Sequence, residues 1–164
     1  MSDAGRVLAG EKIFEPLEAV AGAQRCSEWL DDSAARLLQH QLINAAGWTE
    51  PPAVRCLELH SPLPPHVEEV AAQLAHLFDG EPPDCCEVYA CEPGQQPPTA
   101  GNNGTPLAIL TLHGECEWAC KGRDGAESTL TIPARSVTLL PAKVEHSMLP
   151  ATQRHLALRF RRAE

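Results

Sequence analysis

The sequence is poor in aromatic residues and in positive charge, and it contains no long apolar run. Phe, Trp and Tyr make up 4% of its 164 residues, which argues against a surface on which nucleic-acid bases stack. Thirteen Lys and Arg stand against 22 Asp and Glu, for a net charge of −9, so a broad basic face for phosphate backbones is absent. No apolar run approaches the roughly 20 residues that cross a bilayer, and we expect no membrane insertion.

Cysteine is common, but its pattern does not indicate a disulfide framework. The chain has seven cysteines, an odd number in a chain of ordinary domain size, which favours free thiols in a reducing compartment. Cys116 and Cys120 form one loose pair and lack the tight paired spacing of zinc sites, so buried cysteines are favoured over zinc ligands. The first residues resemble neither a signal peptide nor an Arg-rich presequence. These features predict an intracellular protein, in the cytoplasm or the mitochondrion.

Hydrophobic spacing divides the chain into a helical first part and a strand-rich second part. Residues 1–11 are small and polar and are predicted to form a tail. Residues 12–84 are predicted to form a helical support, with a strand-like start at 12–17, two helices between 17 and 48 divided by a helix N-cap at 31–33, a strand at 54–59 and a helix at 66–78. After residue 84, short apolar runs alternate with turns, which predicts strands at 85–91, 106–112, 115–120, 128–132, 136–140 and 154–161.

Helices first and strands afterwards predict an α+β fold. Residues 12–164 are expected to form a single domain, in which the N-terminal helices back two facing antiparallel sheets at about 85–162. Trp29, Trp48 and Trp118 are expected to be packing residues.

Five segments of the second part follow one another in the order of a known family pattern. They are Glu87–Gly94 for an Asn-x-Tyr-x-x-Gly strand, Gln96–Gly101 for a Pro-His-x-Asp loop, Ile132–Leu140 for a Leu-Pro-x-Arg-Ser-Leu strand, Glu145–Pro150 for a segment with a distal His, and Arg154–Arg161 for a closing Arg-x5-Arg strand. In this order they resemble the AlkB-like branch of the 2-oxoglutarate and Fe(II)-dependent dioxygenases, from about residue 13 to residue 161. The resemblance implies a double-stranded β-helix, or jelly-roll barrel, with N-terminal supporting helices.

The chain departs from the family pattern at the positions that bind the metal and the co-substrate. The resemblance places the three metal ligands at Thr99, Gly101 and His146. Non-haem Fe(II) needs two His and one carboxylate, and only His146 is a suitable ligand. Amide oxygens of Asn102 or Asn103 would be weak neutral substitutes. We therefore expect neither a bound metal nor a catalytic residue.

The co-substrate positions are changed as well. The resemblance places them at Cys91, where the family has Tyr, and at His155 and Arg161, where it has two Arg. A shift of one residue puts Arg154 in the first Arg position but Phe160 in the second, so either register loses one Arg. Because an Arg fork is the natural clamp for a carboxylate, no cofactor is expected.

The family segments are retained in order, whereas the metal and co-substrate residues are mostly lost. This combination predicts a catalytically inactive AlkB-like domain. We expect it to serve as a structural or accessory subunit of a larger protein or ribonucleoprotein assembly, with RNA contacts only within a ribonucleoprotein. The candidate partner contacts are the tail, the loop at 93–105, and the basic end with Arg159, Arg161 and Arg162. Two alternatives remain: an active 2-oxoglutarate dioxygenase with an atypical site, and a metal-free barrel that binds a small ligand.

Overall fold

Two helices and ten strands form the described part of the chain. The computed structural model describes residues 13–49, 54–97, 105–122, 125–142 and 144–162, so the predicted tail at 1–11 lies outside the described residues. The helices are α1 (Asp32–Ile43) and α2 (Pro65–Gln73), which a 3₁₀ turn at Ala75–Phe78 follows. The strands are β1 (Glu15–Pro16), β2 (Gln24–Cys26), β3 (Arg55–His60), β4 (Cys85–Cys91), β5 (Leu107–His113), β6 (Cys116–Lys121), β7 (Glu127–Ile132), β8 (Val137–Leu140), β9 (Glu145–Met148) and β10 (His155–Arg161).

The strands form two antiparallel sheets. The larger sheet has the order β1-β2-β8-β5-β10-β4-β3, and the smaller one has the order β7-β6-β9. Strand β10 lies between β4 and β5, where Arg159 is directly opposite Glu87. This arrangement confirms the predicted α+β class and the jelly-roll architecture.

Two apolar cores lie on opposite faces of the larger sheet. The helix-side core joins α1 and α2 to the even-numbered residues of the central strands, including Val88 and Leu158. The sandwich core fills the space between the two sheets and contains Ile109, Trp118 and Ala157. Because side chains alternate along a strand, the odd-numbered residues of β4 and β10 therefore point between the sheets.

Helix α1 begins where the sequence indicated an N-cap. The Asp31 carboxylate accepts a hydrogen bond from the backbone N–H of Ala34 at 2.7 Å, which satisfies one of the free donors of the first turn. Ala35, Leu38 and Leu42 are buried along one face of the helix. This face anchors α1 on the larger sheet, and the N-cap prediction is confirmed.

The helix predicted before residue 31 is wrong. Residues 15–30 instead form β1, β2 and turns, and β2 extends the larger sheet by pairing with β8. Gly22 and Glu28 have positive φ angles of 84° and 53°, which interrupt a right-handed helix. Val20 and Trp29 are nevertheless buried, because the turns carry them to the two cores.

The cysteines are free thiols, as predicted. Six are buried, and Cys56 is half-buried. Burial raises the pKa of Cys56 and of the five cysteines from Cys85 to Cys120, so these thiols are protonated near neutral pH. Separately, no helix within the described ranges is long and apolar enough to cross a membrane.

Candidate functional site

A polar cluster lies between the two sheets, inside the otherwise apolar sandwich core. Its centre is Arg159 on β10, which is only 3% exposed. The Arg159 Nη2 donates a hydrogen bond to Glu87 Oε1 at 2.9 Å and another to the Tyr89 hydroxyl oxygen. All three residues occupy odd-numbered positions on the paired strands β4 and β10, so the register itself brings them together.

Glu87 is the acceptor that holds this cluster together. Its Oε2 accepts the Tyr89 hydroxyl at 3.1 Å, and its Oε1 also accepts Arg161 Nε at 3.4 Å. Burial raises the pKa of Tyr89, and the neighbouring carboxylate of Glu87 adds to this rise. The phenol is therefore a neutral donor, and Glu87 faces two guanidinium groups. These partners engage the buried Glu87 carboxylate in charge-assisted hydrogen bonds.

Aromatic rings and His146 close the cluster from the side of the smaller sheet. The Arg159 Cζ lies 4.8 Å from the centre of the Tyr89 ring and 5.8 Å from that of Trp118, within the range of cation–π attraction. The Trp118 and His146 rings meet edge to face, with centres 5.6 Å apart. His146 on β9 thus packs on an aromatic wall next to a fixed positive charge.

This environment favours the neutral form of His146. Burial lowers the pKa of His146 to about 4, and the positive charge of Arg159 contributes to the lowering. The His146 Nδ1 has no hydrogen-bond partner among the described residues. A neutral imidazole is a metal ligand in principle, but it needs further ligands beside it.

The described residues do not fit Fe(II). Thr99 and Gly101 lie outside the described residues, and neither side chain replaces a His or a carboxylate. Within the described ranges, no three His, Cys, Asp or Glu side chains come together as a metal site. Glu87, the carboxylate of the cluster, is held by Arg159 and Arg161 rather than left open.

The predicted co-substrate positions are not brought to one place. Cys91 and His155 are opposite each other in the β4–β10 register, whereas Arg161 is opposite Cys85 at the other end of the same strands. Six residues of extended chain separate His155 from Arg161, or about 20 Å. In the alternative register, Arg154 is exposed and pairs with Glu92 at 2.9 Å, outside the sandwich. Neither register produces a two-Arg clamp.

The basic end of the chain requires a correction. Arg159 was predicted as a partner contact, but it is buried between the sheets because the alternation of β10 turns it inward. Arg161 is partly buried against Glu87, with its side chain 28% exposed. Arg162 is the most exposed of the three and forms an ion pair with Glu81. Of the three Arg residues, Arg162 has the most exposed side chain, and the predicted loop contact is exposed at Pro93, Gly94 and Gln96 in its described part.

Glu87 is the important residue that sequence reasoning missed. It lies within Cys-Cys-Glu-Val-Tyr-Ala-Cys, an apolar strand in which a carboxylate is out of place. A charged residue in a strand that is buried on both faces requires a partner of opposite charge. Arg159 likewise interrupts the apolar run of β10. The two charged residues in apolar strands could therefore have indicated a buried ion pair.

The fold is that of solved 2-oxoglutarate and Fe(II)-dependent dioxygenases. A prolyl-4-hydroxylase from Pseudomonas putida superposes with a TM-score of 0.65 at 16% identity, covering 87% of this chain and 94% of that protein. OsALKBH1 superposes with a TM-score of 0.64 at 14% identity, covering 92% and 100% of the two chains. An oxalate decarboxylase from Lactobacillus farciminis matches with a TM-score of 0.52 at 11% identity, covering 73% of this chain and 32% of that one.

These similarities concern the fold. No family model and no curated protein matches the sequence. The function therefore has to be argued from the residues between and around the two sheets.

Proposed function

We propose that this chain is a catalytically inactive domain with a dioxygenase fold, and that it serves as a structural or accessory subunit of a larger protein assembly. The observation that carries the proposal is the Arg159–Glu87–Tyr89 cluster. In the space between the two sheets, ion pairs and hydrogen bonds engage Glu87, the Tyr89 hydroxyl and Arg159 Nη2, while Arg159 Nε has no partner among the described residues.

The metal side of the site supports the same proposal. Of the three positions that the family resemblance assigns to the metal, His146 alone has a ligating side chain. It is packed against Trp118, and the charge of Arg159 repels a cation brought near it. A facial triad needs three ligands on one side of the metal, and the chain supplies one.

The assembly partner is proposed to be protein. The net charge of −9 disfavours RNA outside a ribonucleoprotein. Arg162, which is partly exposed and paired with Glu81, offers a local contact for an acidic surface on a partner subunit. The proposed location is intracellular, in the cytoplasm or the mitochondrion.

One experiment separates this proposal from an atypical enzyme. The purified chain is incubated with Fe(II), ascorbate and 2-oxoglutarate. Both the succinate produced and the iron bound to the protein are then measured. We expect no stoichiometric binding of iron to the chain, and no more succinate than in a control reaction without protein. Succinate production above that level, together with about one iron bound per chain, would instead indicate an active dioxygenase.

A second experiment tests the accessory role. The tagged chain is expressed in its native source, and its elution on gel filtration is compared before and after RNase treatment. We expect elution well above the 17.7 kDa of the chain, unaffected by RNase. Arg162→Glu should shift the chain toward the monomer, whereas Arg36→Glu, which removes an exposed Arg paired with Asp32 on α1, should not. Elution of the wild type as a monomer would contradict the proposal, and sensitivity to RNase would favour a ribonucleoprotein.

A further inference from the structure

A cavity of about 460 Å³ opens at the end of the larger sheet where β10 begins. It lies beside α1 and the start of β3, and it is separate from the polar cluster. Arg159 is four residues further along β10 than His155, which corresponds to about 13 Å of extended strand. The volume is within the range of small-molecule sites.

One wall of the cavity is apolar. It includes Ile43 from α1, Trp48 from the following loop, Ala90 from β4 and Leu156 from β10. Ile43 is 56% exposed and is one of three large hydrophobic residues that the described surface exposes. An apolar wall of this kind favours the body of an organic ligand over a bare inorganic ion.

His155 also contributes to the lining of the cavity, but it is only 2% exposed and lies opposite Cys91 in the β4–β10 register. Like the other odd-numbered residues of β10, it turns its side chain toward the space between the sheets. The contacts that the cavity offers a ligand therefore come from its apolar wall and its rim.

The rim of the cavity is positively charged. Arg154 is balanced by Glu92 at 2.9 Å. Arg55 lies with its Cζ 5.0 Å from the centre of the Trp48 ring and has no carboxylate partner among the described residues. The guanidinium is therefore held over the aromatic wall and remains available to an anion.

We propose that this cavity binds a small organic anion with an apolar, ring-containing body. The anionic group pairs with Arg55, and the body packs on Trp48 and Leu156. This site does not depend on the proposed function, because it uses no residue of the polar cluster and is compatible with an inactive or an active domain.

A pair of dyes tests the charge requirement. Anilinonaphthalenesulfonate carries an aromatic body and an anion, and phenylnaphthylamine carries the same body without the charge. We expect the folded protein to bind the sulfonate about tenfold more tightly than the neutral dye, because a charge-assisted contact to Arg55 is made by only one of them. Arg55→Gln should remove this preference and leave binding of the neutral dye unchanged.

Arg162→Gln is the matched control, since Arg162 is seven residues from His155 on β10, or about 23 Å away, and should leave the preference intact. Heteronuclear NMR locates the site: the sulfonate should shift the Trp48 indole N–H resonance and not those of the buried Trp29 and Trp118. Equal affinity for the two dyes, equal effects of the two Arg variants, or no shift at Trp48 would each overturn the proposal.

Discussion

Arg159 and Glu87 are opposite each other on β10 and β4, and their side chains form an ion pair buried between the two sheets. The removal of two charges from water is costly, and the pair recovers this cost only while both partners are present. The sandwich core therefore depends on the pairing rather than on either charge alone.

Loss of one partner should be far more harmful than loss of both. Arg159→Met removes the buried partner of Glu87 and leaves this carboxylate with the longer, partly exposed contact to Arg161 at 3.4 Å, and we expect the free energy of unfolding to fall by about 3 kcal/mol. The double variant Arg159→Met with Glu87→Leu should recover much of this loss. Urea denaturation measures both. Arg154→Met is the control, because it breaks an exposed pair worth about 0–1 kcal/mol. A similar effect of Arg159→Met and Arg154→Met would contradict the structural role of the pair.

Acid should destabilise the protein through His146. Its folded-state pKa of about 4 lies below the ordinary value of 6.5, so between these pH values the unfolded chain binds a proton that the folded protein does not. Stability should therefore be complete above pH 6.5, fall toward pH 4 and then level off, by about 2 kcal/mol after allowance for partial exposure.

The variant His146→Asn should flatten this dependence. Some pH dependence should remain because of His155, whose pKa is lowered in the same direction. Urea unfolding at a series of pH values between 7 and 4 is the measurement, and His40→Asn, which changes an exposed histidine on α1, is the control. Identical slopes for the wild type and His146→Asn would show that another group governs acid stability.

Gly114 is expected to tolerate no side chain. It has a φ of 70°, and a Cβ there would lie 2.2 Å from the backbone oxygen of Arg154. Gly114→Ala should reduce stability by more than about 2 kcal/mol. Gly125→Ala has the same kind of φ, 84°, but nothing within 4 Å of the added Cβ, and should cost about 1 kcal/mol. Thermal unfolding of the two variants separates the steric effect from the conformational one, and equal losses would exclude the steric effect.

The thiols should react slowly in the folded protein. Burial lowers both the access of a reagent and the fraction of thiolate. With a disulfide reagent at about pH 8, we expect Cys56 to react first, because it is half-buried whereas the other cysteines are buried. Cys56→Ser should remove the fastest phase, and Cys120→Ser should leave it. A fast phase that persists in Cys56→Ser would place the most reactive thiol elsewhere.

The late strands were predictable because their alternation has a simple physical cause. One face of each strand meets the helices or the opposite sheet, and the period of two records this directly. The region before Asp31 was not predictable in the same way. Val20 and Trp29 are buried at the ends of turns, and their spacing imitated a helical face. Short edge strands such as β1 depend on pairing with distant residues, which local patterns do not encode.

The candidate site was predictable only in part. The sequence shows that Thr99 and Gly101 are unsuitable as metal ligands, but it treats Arg159 as part of a charged tail. Its burial depends on the register of β10 against β4, which pairs residues that are about seventy positions apart in the chain. The cavity at His155 depends on the same long-range register and on the position of α1, so no local motif indicates it.

The larger sheet forms a wall common to both cores, and this has a consequence for local unfolding. The helix-side core is closed by α1, α2 and one face of that sheet, without any contribution from β6, β7 or β9. The outer face of β7 is open to solvent at Glu127, Thr129 and Thr131. The smaller sheet can therefore open as a unit while the helical layer persists, and its backbone amides should exchange with solvent earlier than those of β4 and β10. Access to the buried charges would then depend on how often this sheet detaches rather than on a permanent channel.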